Sequence, residues 1–291
     1  MGQYSIKEVE TLSGVKAHTL RIWEERYAFL RPKRTNTNIR YYNDEQLRLL
    51  LNVATLNRHG MKISKIAGLQ KSDLVNEVLK VYESTTQPDV LLDSLVHAML
   101  DFSEKRFERT LSAAVIKLGF EDAFTRLVFP FLIRTGVLWA TGSLRVVQEH
   151  FMSNLIRRKI CTAIDGLYVE PNRKSRKFVL FLPERETHEL LLLFIEYIIR
   201  RHNHEVTYLG CSIPFNELSY VEKELKPDFL ITYQTVAAEE MSFSDYLKLL
   251  STTFPSCKIL IAGSKFKEVQ LKLPSNCIPI QSVEDLLKSI C

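Results

Sequence analysis

No two of the five cysteines (Cys161, Cys211, Cys257, Cys277 and Cys291) stand at metal-ligand spacing, and no C-x-x-C motif occurs. That excludes a cysteine-built zinc module and a dithiol redox centre. Reduced, mostly buried thiols and a cytoplasmic location are expected instead. No apolar run is long enough to cross a bilayer. The greasiest stretch, Leu190 to Ile199, is broken by Glu196 and reads as a buried helix. The start, Met1-Gly2-Gln3-Tyr4, has no apolar signal core, so no membrane partner is expected. A nucleophile elbow, a phosphate-binding glycine loop and paired catalytic carboxylates are all missing, and the expected class is not an enzyme. Internal repeats and low-complexity tracts are absent too.

What is present is ordinary in bulk and uneven in detail. The 291 residues are 46% hydrophobic and 25% charged, enough for two domains or three small ones. The net charge is +5, yet residues 1–70 carry twelve Lys/Arg against six Asp/Glu, and the remainder is close to neutral. A positive field confined to one end is expected where that end meets phosphates.

Periodicity divides the chain into an N-terminal domain over 1–75, a helical bundle over 88–169 and an α/β domain over 176–291. Residues 71–87 are polar and read as a linker. Residues 170–176 form a second polar boundary. From 176 onward short apolar runs (178–182, 206–209, 229–233, 259–262, 277–281) alternate with amphipathic segments (186–201, 214–225, 239–251, a short one before 277, 283–290). The fold class expected is multi-domain: an all-α, winged helix-turn-helix N-terminus, a helical bundle, then a Rossmann-like, doubly wound parallel sheet. Such a sheet takes ligands at the carboxyl ends of its strands.

At the N-terminus, Ser5 with Glu8 forms a capping box for a first helix with Ile6, Val9 and Leu12 on its apolar face. Gly14 permits the reversal that follows. A second helix, from about Lys16 to Tyr27, buries Leu20, Trp23 and Tyr27 and offers Lys16, His18, Thr19 and Arg21 on the opposite face. Two short helices about a glycine turn predict a helix-turn-helix, its second helix in the major groove. The segment Arg31 to Tyr42 holds Lys33, Arg34, Arg40 and Tyr41 around polar turn residues and suits a β-wing on the phosphate backbone. Asn43-Asp44 then caps a helix striped by Leu47, Leu50, Leu51 and Ala54. A solvated basic face on a protein-binding module is the alternative.

The stretches Tyr4 to Val9, Ser13 to Val15, Thr19 to Tyr27, Arg40-Tyr41-Tyr42 and Gly60 to Ile63, in this order and spacing, resemble the DNA-binding domain of the MerR family over roughly residues 4–70. The resemblance implies double-stranded operator DNA as partner, with Arg21 and its neighbours on the operator and Arg40 and Tyr41 on the backbone. Many MerR-type regulators dimerise through a coiled coil after this domain. No sustained heptad follows here, so a homo-oligomer is expected to form through residues 88–291.

Two further features carry chemistry. Trp139 is followed by Glu149-His150 on a helix from about Arg145 to Leu167, which is expected to bury Val147, Phe151, Leu155, Ile160 and Ile164. His150, Ser153, Asn154 and Arg157 form a polar stripe beside that core face. A core tryptophan and a solvated Glu-His pair are the alternative. The second feature is Pro183 to His188, directly after the first strand. His188 suits an axial metal ligand, with Glu186 accepting the other ring N–H. Alternatively Glu186 only favours a helix N-terminus and His188 is solvated. His202-Asn203-His204 reads as a polar connection, and His18, His59 and His97 have no arguable metal partners.

Trp139 with Glu149-His150 in a bundle, and Glu186-x-His188 after the first strand of an α/β domain, together resemble the cobalamin-binding module. The order of all three domains resembles the cobalamin-dependent, light-responsive repressors of carotenoid genes. This implies cobalamin as cofactor and His188 as lower axial ligand of cobalt, the one metal ligand. It also implies Glu186 behind that histidine, Trp139, Glu149 and His150 over the upper face, and Thr235 and Gly263 near the nucleotide tail. The chain departs from the family pattern at Leu191, where glycine would give the corrin access to the backbone. It departs again at the residues around Thr235 and Gly263, and at Ala140, where light-responsive members have a second histidine. The function expected is a sequence-specific DNA-binding regulator that senses cobalamin or a related ligand and controls its own oligomerisation. Alternatives are a regulator whose degenerate cobalamin-type module serves oligomerisation or binds a protein or another ligand, and a cobalamin-carrying enzyme subunit.

Overall fold

The computed structural model describes residues 3–27, 30–34, 39–84, 88–140, 145–235, 242–262 and 273–290. They fall into two compact units, residues 1–155 and 156–291.

The first unit opens with β1 (Tyr4–Ser5), α1 (Ile6–Ser13), α2 (Ala17–Arg26), β2 (Lys33–Arg34), β3 (Arg40–Tyr42) and α3 (Asp44–Arg58). The strands form an antiparallel sheet in the order β1-β3-β2. Local sequence explains these elements. Ser5 Oγ accepts from the Glu8 N–H while Glu8 accepts from the Ser5 N–H at 2.6 Å, the expected capping box. Gly14 ends α1 at φ +69°, in the left-handed region that favours glycine. Asn43 and Gln46 form a second capping box at α3. Val9, Leu12, Leu20, Trp23, Leu47, Leu50, Leu51 and Ala54 are buried as the apolar stripes predict, while Ile6 and Tyr27 are only half-buried.

The unit continues through α4 (Ile63–Ala67), α5 (Lys71–Ser84), α6 (Pro88–Leu100), α7 (Glu104–Leu118), α8 (Phe120–Ala123), a π-helical turn, α9 (Phe129–Ala140) and the start of α10 (Val146–Asp165). The linker expected over 71–87 is a helix as far as Ser84. Leu74 and Val78, one turn apart, bury against α3 and hold it in place. The core face of α10 also differs from expectation. Val147 is exposed, and the buried residues are Gln148, Met152, Leu155, Ile156 and Ile160.

A buried carboxylate is a main bond between the helices of 88–140 and the N-terminal domain. Asp93 on α6 is fully buried. It accepts from Thr55 Oγ1 at 3.0 Å and from the Arg58 guanidinium, both on α3. Arg134 on α9 lies 3.5 Å from its other oxygen and donates through Nε to the Thr11 carbonyl of α1 at 2.8 Å. Burial draws the Arg134 pKa down to about 10, so it stays charged at neutral pH. Two arginines around one carboxylate keep the buried charge compensated.

The second unit is built on β4 (Lys177–Pro183), α11 (Leu190–Arg201), β5 (Glu205–Ile213), α12 (Leu218–Leu225), β6 (Phe229–Tyr233), α13 (Phe243–Thr253), β7 (Lys258–Ala262), β8 (Cys277–Ile280) and α14 (Val283–Ile290). Its five strands are parallel in the order β5-β4-β6-β7-β8. Val179, Phe181, Leu230, Ile259 and Ile261 alternate onto one face, against α12 and α13, while α11 packs on β4 and β5. The segments read as helices over 186–201 and 214–225 begin later, at Leu190 and at a 3-10 turn over Phe215–Glu217, and the one read over 239–251 is α13, shifted toward the C-terminus. In the first case the side chain of Glu186 bonds the backbone that a helix would have used. The short helix expected before 277 lies outside the described residues.

Candidate functional site

The surface expected to meet DNA is assembled from α2 and the β2–β3 wing. Arg21 and His18 are exposed on α2 and Thr19 is half-buried, facing away from the Leu20–Trp23 stripe. Lys16 is exposed, but its ammonium pairs with Glu10 at 2.9 Å, and Glu10 also accepts from the Ala17 N–H. Glu10 therefore caps α2, and Lys16 begins with an intramolecular partner. Lys33 and Arg34 are exposed on β2, paired across the ladder with Tyr41 and Arg40. Arg40 Nε donates to Glu24 of α2 at 3.2 Å, and the Tyr42 hydroxyl donates to the other oxygen of the same carboxylate. Burial and that carboxylate push the Tyr42 pKa up, keeping the hydroxyl protonated. Glu24 thus locks wing to helix, a role its position gave no cue to. Residues 35–38, the wing tip, lie outside the described residues.

The second site stands at the carboxyl ends of β4 and β6. With β4 first in the domain, β5 lies on one side of it and β6 on the other. The gap between β4 and β6 is the topological switch point where doubly wound sheets take ligands. Glu186, in the turn after β4, is 1% exposed. One of its oxygens accepts from the backbone N–H groups of Thr187 (3.0 Å) and His188 (3.1 Å) and from His188 Nδ1 (2.6 Å). The other accepts from the N–H (2.6 Å) and hydroxyl (2.7 Å) of Thr235, beyond β6. Burial alone would raise the Glu186 pKa. The hydrogen bonds from His188 and Thr235 outweigh it and hold the carboxyl well below the usual range. The His188 side chain is 59% exposed, with Nδ1 turned to the carboxylate. Its backbone carbonyl accepts from the Tyr233 hydroxyl. An imidazole whose Nδ1 faces a carboxylate can ligate a metal only through Nε2.

Glu186 and His188 are thus paired as the sequence motif suggests, and Thr235, expected near the nucleotide tail, bonds Glu186 as well. Beside them, Glu189 accepts from Arg157 Nε (2.5 Å), Tyr208 (2.9 Å) and Cys211 Sγ (3.5 Å). Burial and Glu189 push the Cys211 thiol up to about 11, leaving it protonated. This second cluster was not foreseen, because Tyr208 and Cys211 sit on an edge strand whose register no sequence spacing reveals. Leu191 is half-buried, the second residue of α11.

In the first unit, Glu149 and His150 open α10. His150 Nδ1 and Glu149 lie 2.6 Å apart, and Glu149 also accepts from Ser153. Of the polar stripe expected on α10, His150, Asn154 and Arg157 are exposed and Ser153 is half-buried. Trp139 belongs to α9, with its side chain outside the described residues, as is Gly263. His202-Asn203-His204 is a connection: Asn203 turns at φ +61°, and His204 Nδ1 accepts from the Arg176 N–H at 3.2 Å. Among the described residues no group of His, Cys, Asp or Glu could enclose a metal by itself, and no helix is long and apolar enough to cross a membrane.

Residues 4–73 match the MerR HTH family regulatory protein model, and residues 91–162 match the B12 binding domain model. The chain is 27% identical to the HTH-type transcriptional repressor CarH of Myxococcus xanthus over 258 residues, 87% of this chain and 85% of that protein. It is 27% identical to the repressor CarA of the same organism over 77% of this chain and 73% of that one. Among solved structures, the monomethylamine corrinoid protein of Methanosarcina barkeri shares the fold. The TM-score is 0.54 at 12% identity, over 69% of this chain and 97% of that one. A MerR-type DNA-binding domain is thus followed by a B12 binding domain.

Proposed function

We propose that this chain is a DNA-binding transcription regulator that holds cobalamin through His188 and changes its operator affinity when it does so. The observation that carries the reading is the Glu186–His188–Thr235 constellation at the switch point of the sheet, downstream of a MerR-type domain. The two Myxococcus xanthus relatives are repressors, and repression is the sign proposed here.

Arg21 on α2 reads the major groove, while Lys33 and Arg34 of the wing hold phosphates. Arg40 orients the wing through Glu24 and offers the rest of its guanidinium to the backbone. Cobalamin, when bound, would supply a cobalt ion for the His188 imidazole to ligate. Glu186 holds His188 in one tautomer and orientation, and Thr235 holds Glu186, so the ligand is set before the cofactor arrives. The first unit joins bundle and DNA-reading domain through Asp93, which gives a change in the bundle a route to α1 and α3. One small domain buries too little surface for tight specific binding, so the regulator acts as a homo-oligomer on two-fold-related half-sites.

The test is electron paramagnetic resonance of the full chain loaded with cobalamin and reduced to cobalt(II). Nitrogen-15 labelling of histidine should change the axial nitrogen splitting, and His188→Ala should remove that dependence. A splitting blind to histidine labelling would refute ligation by His188. If the native chain takes up no cobalamin but Leu191→Gly does, the leucine closes a site that is otherwise intact. Uptake by neither would leave a module that serves assembly alone.

A further inference from the structure

The first unit contains a cavity of about 720 Å3 between α3, α5 and the facing end of the bundle. That volume lies within the roughly 300–1,000 Å3 of small-molecule sites. One part of its wall is apolar, formed by Leu49, Val53, Ile66, Leu74 and Val78. The other part carries Arg48, His97, Asp101 and Arg106.

His97 is the unexpected member. It is 2% exposed, and its Nε2 has no hydrogen-bond partner. Burial, then the charges of Arg106 and Arg48, draw its pKa down to about 3, so the ring is neutral. Native interiors rarely leave such an atom unsatisfied, and an orphan in a cavity wall points to a missing ligand group. The charges around it do not cancel. Arg48 Nε lies 2.6 Å and Arg106 Nη1 3.4 Å from the single carboxylate of Asp101, and Arg48 Nη2 donates to the Leu100 carbonyl at 2.7 Å. The acidic groups elsewhere on the wall are already engaged: Asp44 accepts from Tyr4, and Glu45 pairs with Lys71. Across the whole wall Arg48, Lys71 and Arg106 balance Asp44, Glu45 and Asp101, but at the His97 end two guanidiniums face one carboxylate.

We infer that this cavity binds a small organic acid with an apolar body. Its carboxylate lies among Arg48, Arg106 and His97, and its apolar body lies along Leu49, Val53 and Leu74. The site is separate from that of cobalamin and uses none of its residues. Because α3 lines the cavity and also holds Asp93, the acid is a second effector, acting at the joint between bundle and DNA-reading domain.

The experiment is calorimetric titration of the full chain with octanoate and with 3-phenylpropanoate, each beside its neutral alcohol. At least one acid should bind saturably, one per chain, and its alcohol more weakly. Arg106→Gln, a change at a partly exposed side chain, should weaken binding about tenfold or more while the thermal midpoint stays near that of the parent. The resonances of nitrogen-15-labelled His97 should shift on saturation. Absence of saturable binding by both acids overturns the inference, as does equal affinity for acid and alcohol, or full affinity in Arg106→Gln.

Discussion

Two buried ionisable side chains show how environment decides what a residue can do. Glu186 is charged because five donors converge on it, and its neighbour His188 inherits a fixed orientation. This pair was legible because a glutamate and a histidine two apart after a strand form a short local motif. Thr235 needed the topology that brings the end of β6 beside the end of β4. His97 was legible only as a histidine without metal partners; its burial follows from packing between α3 and α6, which periodicity cannot place. With its folded pKa near 3, below the ordinary value of 6.5, unfolded His97 binds the proton first as pH falls. Its native environment therefore contributes fully above about pH 6.5, and that contribution is lost as pH falls toward 3. Chemical denaturation of His97→Leu beside the parent should show a shallower acid-side loss, the difference approaching about 1.4 kcal/mol per pH unit within that window. Parallel pH profiles would show that His97 is not buried and neutral.

Among the elements, wing and latch make separable predictions. Lys33 projects from β2 into solvent, so Lys33→Ala should reduce the salt slope of operator binding by about one and leave the thermal midpoint unchanged. Arg40→Ala should weaken binding and also lower the midpoint, because it removes one of the two β3 donors, beside Tyr42, that Glu24 of α2 accepts from. Binding isotherms at several salt concentrations, with a melting curve for each variant, separate the two. The Asp93 latch predicts a larger effect. Asp93→Ala leaves two arginines without their carboxylate and should cost about 3 kcal/mol in denaturant unfolding, whereas breaking a solvated surface pair such as Glu77–Lys80 should leave the midpoint nearly unmoved. An unchanged midpoint would mean the helices are not joined there. Most helices and all five strands of the parallel sheet could be read from periodicity. The error at α5 came from weighing the polar residues near Ser84 over Leu74 and Val78, whose spacing made a helix with one apolar stripe. The late start of α11 could not be read, because it depends on a side chain capping the loop before it.

For the whole molecule, the order of domains was the strongest signal in the sequence. A basic N-terminus ahead of a near-neutral remainder pointed to DNA, and the strand–helix alternation pointed to a doubly wound sheet. How a bound cofactor would change the grip on an operator was not legible, since such coupling depends on differential affinity between states. A symmetric pair of half-sites in a footprint is expected of an oligomeric regulator. One asymmetric half-site bound at full affinity would contradict it. The central claim is that cobalamin and operator are coupled through His188. The direct measurement is operator affinity at fixed salt for the full chain, free and loaded with cobalamin, beside His188→Ala treated in the same way. Loading should shift the affinity of the parent by about fivefold or more and leave His188→Ala unmoved. Identical isotherms for free and demonstrably loaded parent protein would contradict the account.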